Sequence, residues 1–115
     1  MGNLGLVLRE YAQRIVTLRG NDLASAADVS LEDIHGVVVG DAPSSVRLSD
    51  DSHRSSMKIV AEAHELKIPI IGLGFGALVI AKALGSTIDD LNPPEAGWTN
   101  MTTSPMSRGD ALLTG

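Results

Sequence analysis

Lys67-Ile-Pro-Ile-Ile-Gly72-Leu-Gly74-Phe-Gly76-Ala-Leu78 is the stretch on which the fold turns. It passes from a continuous apolar run to glycine at every second position, and then into a second apolar run that ends at Gly85. The first part predicts a strand over Ile68 to Leu73. Pro69 is tolerable near a strand start, where a ladder donor is not needed. The second part predicts a short helix over Ala77 to Leu84, with Gly85 as its C-cap. The whole apolar run, Ile68 to Ala81, lies between Lys67 and Lys82 and is broken by one proline and three glycines. A membrane span needs roughly 20 apolar residues with few breakers. A strand, a glycine-rich turn and a helix instead make a ligand crevice at the carboxyl end of a parallel strand.

Outward from this stretch the pattern alternates. A helix is expected over about Ser52 to Leu66, its apolar line running through Met57, Val60, Ala61 and His64. Before it, Gly40 to Asp51 reads as polar loop. Gly36-Val37-Val38-Val39 is β-branched without alternation, which suggests a strand covered on both faces. Ser30 with Asp33 three residues on fits the cap of a short helical turn. Arg14 to Leu18 reads as a short strand ended by Gly20-Asn21-Asp22. Leu4, Val7, Leu8 and Tyr11 make one apolar helix face. Downstream, Thr87 to Asp89 and Trp98 to Thr103 are candidate strands separated by an Asn92-Pro93-Pro94 turn, and Ser104 to Gly115 is loop-like. Alternating helices and strands predict an α/β domain over residues 1–115, a mostly parallel sheet flanked by helices.

Composition narrows the function classes. Nine Lys and Arg against fourteen Asp and Glu give a formal net charge of −5. That balance disfavours a nucleic-acid binder, which needs a basic face. The sequence holds no Cys, so disulfides, thiolate metal sites and a Cys nucleophile are excluded within it. Tyr11, Phe75 and Trp98 are the only aromatics, so the core must be aliphatic. With no signal peptide the expectation is cytoplasmic, with no membrane contact.

Three roles compete for the glycine turn. Gly72-x-Gly74-x-x-Ala77 matches the Gly-x-Gly-x-x-Gly/Ala dinucleotide fingerprint, with Asp89 and Asp90 near the place of a ribose-binding acid. The intervening helix is only about eight residues, where such a unit uses ten or more. Alternatively, Gly72 and Gly76 flank position 74 at the spacing of a nucleophile elbow, a sharp turn that pushes one side chain into the crevice. Position 74 is glycine and has nothing to attack with. The third role is close packing of helix on strand. His35, His53 and His64 lie in separate elements with no ligand spacing, so no metal is implied. His64, on the apolar helix face, reads as a satisfied core or boundary histidine and His53 as solvated. Asp50 and Asp51 fit helix capping, and the Asn100-Met-Thr102 sequon has no secretion signal to give it meaning.

The order of segments resembles the class I, triad-type glutamine amidotransferase domain, most closely the amidotransferase half of GMP synthetases. That family carries an apolar-Gly-apolar-Cys-apolar-Gly-apolar-Gln elbow, matched here by Ile71-Gly72-Leu73-Gly74-Phe75-Gly76-Ala77-Leu78. Its upstream Asp-Gly, apolar run and Ser-Gly-Gly-Pro-x-Ser-Val segment is matched by His35-Gly36 through Gly40-Asp41-Ala42-Pro43-Ser44-Ser45-Val46. Glu95-Ala-Gly97-Trp98 and Asp110-Ala-Leu-Leu-Thr-Gly115 are similar to two downstream segments.

The resemblance implies an incomplete flavodoxin-like layout in which the elbow Cys has become Gly74 and the elbow Gln Leu78. It also implies an oxyanion loop altered to Asp41, Ala42 and Pro43, where an acid opposes a developing oxyanion. It places the family's His-x-Glu pair beyond Gly115. No catalytic residue carries over. The expected function is a non-catalytic, amidotransferase-like domain that binds a small ligand at the crevice lined by Gly72, Gly74, Phe75, Gly76, Ala77 and Ser44. A protein partner or a second copy is the other expected object, and no cofactor is implied. The alternatives are a nucleotide-binding module built on the same turn, or a fragment of a larger amidotransferase.

Overall fold

β-Branched side chains are stiff about their first torsion and fit a pleated surface better than a helix. Val37–Val39 accordingly forms strand β1, and Ile70–Gly72 forms β2. The computed structural model describes residues 2–11, 14–18, 29–42, 52–90 and 97–111. Among these the two strands make a parallel pair, with Val37 opposite Ile70, Val38 opposite Ile71 and Val39 opposite Gly72. Two further backbone bonds bracket the ladder: Val37 N donates to Pro69 O and Leu73 N donates to Val39 O, each at 2.9 Å. Pro69 thus sits just before the strand and offers only its carbonyl, the one backbone hydrogen-bonding group a proline has.

Parallel neighbours need a crossover, and a helix supplies it. Helix α1 spans Gly2–Tyr11, α2 spans Ser52–Glu65 between the strands, and α3 spans Phe75–Ala83 after β2. A short 3₁₀ helix covers Pro105–Gly109. Helices α2 and α3 pack on each other and on both strands. Among the described residues the buried apolar side chains are Leu31, Val60, Ala63 and Val79. The inward stripe of α2 therefore runs through Val60 and Ala63, with His53, Ser56 and Met57 half-buried on the same side. His64 continues that phase but is exposed in the last turn of the helix, contrary to its expected core or boundary place.

Both helices adjoining β2 stop by the same device. Ser86 N bonds Ala81 O and Gly85 N bonds Lys82 O, with Gly85 at φ 89°, a Schellman end that bears out the expected glycine cap. At the end of α2, Ile68 N bonds Ala63 O and Lys67 N bonds His64 O. The left-handed residue there is Lys67, at φ 58°.

Several expected features take another form. Val38 and Ile71, opposite each other, are exposed at 37% and 53%, so the sheet is covered on one face rather than two. Residues 14–18, 87–89 and 98–103 are irregular, because a strand exists only where a neighbour completes its ladder. Ser30 accepts from Glu32 N at 3.2 Å and Ile34 N bonds Leu31 O at 3.0 Å, which makes a turn rather than a helix. In α1, Leu4 and Leu8 are half-buried while Val7 and Tyr11 face solvent. The Gly20-Asn21-Asp22 and Asn92-Pro93-Pro94 turns and the Asp50-Asp51 cap lie outside the described residues.

Candidate functional site

Because β1 and β2 run parallel, the chain leaves both at one end of the sheet. It leaves β1 through Gly40-Asp41-Ala42, and β2 through Leu73-Gly74. The bond from Leu73 N to Val39 O holds the two exits side by side. Gly74 then turns the chain directly into α3, at φ 55° and ψ −122°. Side chains of L-residues rarely tolerate this conformation, which glycine adopts without strain from a Cβ. Gly76 N bonds Leu73 O and Ala77 N bonds Gly74 O, each at 3.0 Å, so α3 begins with no intervening loop.

The flanking glycines are set by packing. A Cβ on Gly72 would lie 2.6 Å from both Cα and N of Ala77, and one on Gly76 would collide with the carbonyl oxygen of Val39. Backbone therefore meets backbone where α3 crosses the strand ends. The close-packing role anticipated for the glycines applies to these two. Gly74 is different: its missing Cβ would meet a side chain.

That side chain is Asp41. Its Oδ1 accepts from Phe75 N at 2.8 Å and from Ala42 N at 3.0 Å. The bond from Phe75, and then that from Ala42, holds its carboxyl below the ordinary value of 3.8, since both favour the ionised form. The first amides of a helix are also its electropositive end. Two N–H groups from separate segments converging on one oxygen form the donor arrangement of an oxyanion hole. In a nucleophile elbow the donor is the amide that follows the nucleophile, joined by one from another loop. The amide after position 74 and the amide of Ala42 meet on one oxygen, and that oxygen belongs to the chain itself. Position 74 is glycine and offers no attacking atom.

Phe75 is half-buried and meets a partner that sequence reading placed in solvent. The His53 ring on α2 lies 5.0 Å from the Phe75 ring, tilted by 55°. His53 Nε2 is buried and has no hydrogen-bond partner. The available signal was helical phase: His53 is seven residues before Val60, two turns along the inward stripe.

The residues expected to line a crevice separate into those brought together and those not. Gly72, Gly74, Phe75, Gly76 and Ala77 gather with Asp41 and Ala42 at the strand ends. Pro43 and Ser44 lie outside the described residues. Asp89 and Asp90 are exposed and follow no strand. The amides that a pyrophosphate would use are engaged, Phe75 by Asp41, Gly76 by Leu73 and Ala77 by Gly74. Helix α3 is nine residues long and is followed by no strand among the described residues. Among the described residues no three His, Asp or Glu side chains come together as a metal site. No described helix is long and apolar enough to cross a membrane. No known protein family, curated protein or solved structure matches the chain.

Proposed function

We propose that this chain is a glutamine-amidotransferase-like domain without a nucleophile, acting by binding a protein partner or a second copy of itself rather than by hydrolysis. The observation that carries this reading is the turn at Gly74. It joins a parallel strand directly to a helix, at an elbow-like backbone conformation, with the amides of Phe75 and Ala42 converging beside it. The order of motifs in the sequence supplies the family, and the turn supplies the reason to apply it here.

The chemistry of the turn is that of a receptor. Thioester formation from glutamine needs a thiolate, and the sequence contains no Cys. The two donors that would steady a tetrahedral intermediate already hold a full negative charge on Asp41. A binding role draws instead on surface. Val38 and Ile71 lie exposed on the uncovered sheet face, and Leu73 and Leu78 beside the turn are exposed as well. These are the side chains that such a contact would cover.

Ammonia release from glutamine tests the non-catalytic part. The wild-type chain is expected to match a no-protein control, and so is Gly74→Cys. A nucleophile added without its base gains little, because triad members act as a unit. Its Cβ would also lie 2.6 Å from Asp41 Oδ1. Clear turnover by the wild-type chain would overturn the proposal.

A further inference from the structure

We infer that Asp41 is an internal plug of the elbow: its carboxylate and any side chain at position 74 occupy the same space, so only one of the two can be present. A Cβ on Gly74 would lie 2.6 Å from Asp41 Oδ1, 2.7 Å from Cγ and 3.1 Å from Oδ2. All three atoms belong to one side chain, and no backbone atom is as near. The obstruction at position 74 therefore differs in kind from that at Gly72 and Gly76, where backbone blocks the way. Asp41 is also not free to step aside without loss. Its Oδ1 is held by two N–H groups, one of them 34 residues away along the chain. A charged acceptor makes such bonds stronger than a neutral one does.

The nucleophile position and the oxyanion donors are thus closed by one contact. Glycine at 74 leaves room for the plug, and the plug opposes a side chain there in addition to the strain of the positive φ. The chain itself supplies the anion that occupies the two donors. This inference deepens the proposed reading of the turn as an elbow and rests on it for that meaning. Its test is independent of glutamine hydrolysis, so either can fail alone.

The test is a double-mutant cycle of Gly74→Ala with Asp41→Ala, read as the midpoint of urea denaturation. The positive φ at Gly74 burdens alanine equally in both backgrounds, so that part cancels and the coupling remains. The expected result is that the fall in midpoint caused by Gly74→Ala is at least halved when Asp41 is already alanine. An equal fall in both backgrounds overturns the plug. A second measurement serves if Gly74→Ala does not fold. In Asp41→Ala alone, the Phe75 amide is expected to exchange with solvent about tenfold faster than in wild type, for loss of its acceptor. The Leu73 amide, bonded to Val39 O, is expected to keep its rate. Unchanged exchange at Phe75 overturns the plug whatever the fate of Gly74→Ala.

Discussion

Asp41 carries a charge whose cost and benefit depend on pH. Its carboxyl is held below 3.8 by Phe75 N and then Ala42 N, so folding favours the ionised form. The sign follows from linkage: the unfolded chain binds the proton more readily, so stability rises with pH through this region. Asp41 contributes fully above pH 3.8 and loses that contribution as pH falls through the lower folded value. Acid titration of the wild type against Asp41→Asn, followed by circular dichroism, is expected to show a steeper loss in the wild type below pH 3.8. Parallel curves would mean that the two amides do not favour the charged oxygen. The same residue marks the limit of reading a site from sequence. The Gly72-x-Gly74-x-Gly76 spacing announced a tight turn, and local conformational rules sufficed for that. Asp41 is remote in the chain, and an acid on an oxyanion loop reads as repulsion until its oxygen is seen on the donors. His53 escaped for a similar reason, since nothing local places its ring against Phe75.

At the level of elements, the ends of helices were the most legible features, because caps depend on a few adjacent residues. Gly85 closes α3 as its position suggests. Lys67 closes α2 with the same bonds but carries a Cβ into the left-handed region, at φ 58°. Left-handed backbone costs an L-residue about 1–2 kcal/mol, and glycine avoids it at some cost in unfolded-chain entropy. Lys67→Gly is therefore expected to stabilise the fold by about 1 kcal/mol, seen as a higher urea midpoint at an unchanged slope. A lower midpoint would show that the Lys67 side chain contributes more than its backbone costs. Strands were less legible than caps. Val37–Val39 and Ile70–Gly72 pair, whereas the apolar stretch at residues 14–18 does not. All three have strand-like composition, and only pairing across some thirty intervening residues separates them. The single covered face was hidden for the same reason. A run of three valines suits a strand buried twice, and the alternation in burial appears only once α2 and α3 lie on one side.

Over the whole molecule, the described residues bury few large apolar side chains and expose many. Leu31, Val60 and Val79 are buried, while Val38, Ile71, Leu73, Leu78 and Trp98 are not. Each large side chain removed from water contributes about 1.5–3 kcal/mol, so exposed ones are an unused source of stabilisation. Light scattering is expected to show association that grows with protein concentration, and Ile71→Lys, which charges the open sheet face, is expected to reduce it. A monodisperse monomer at all concentrations, unchanged by Ile71→Lys, would count against the proposed binding role.

The bond between Asp41 and Phe75 has a consequence in time as well as in space. It closes a segment of 34 residues, yet it joins two exits that β1 and β2 have already brought together. The entropy of closing that segment is spent when Val37 meets Ile70, and fastening the carboxylate afterwards costs little more. A contact of this kind is expected to form after the barrier to folding has been crossed, so that Asp41→Ala speeds unfolding and leaves the folding rate unchanged in stopped-flow measurements. Interactions absent from the transition state act on the unfolding rate rather than on the folding rate. On that expectation the carboxylate is a clasp across the two strand exits, fastened last and released first.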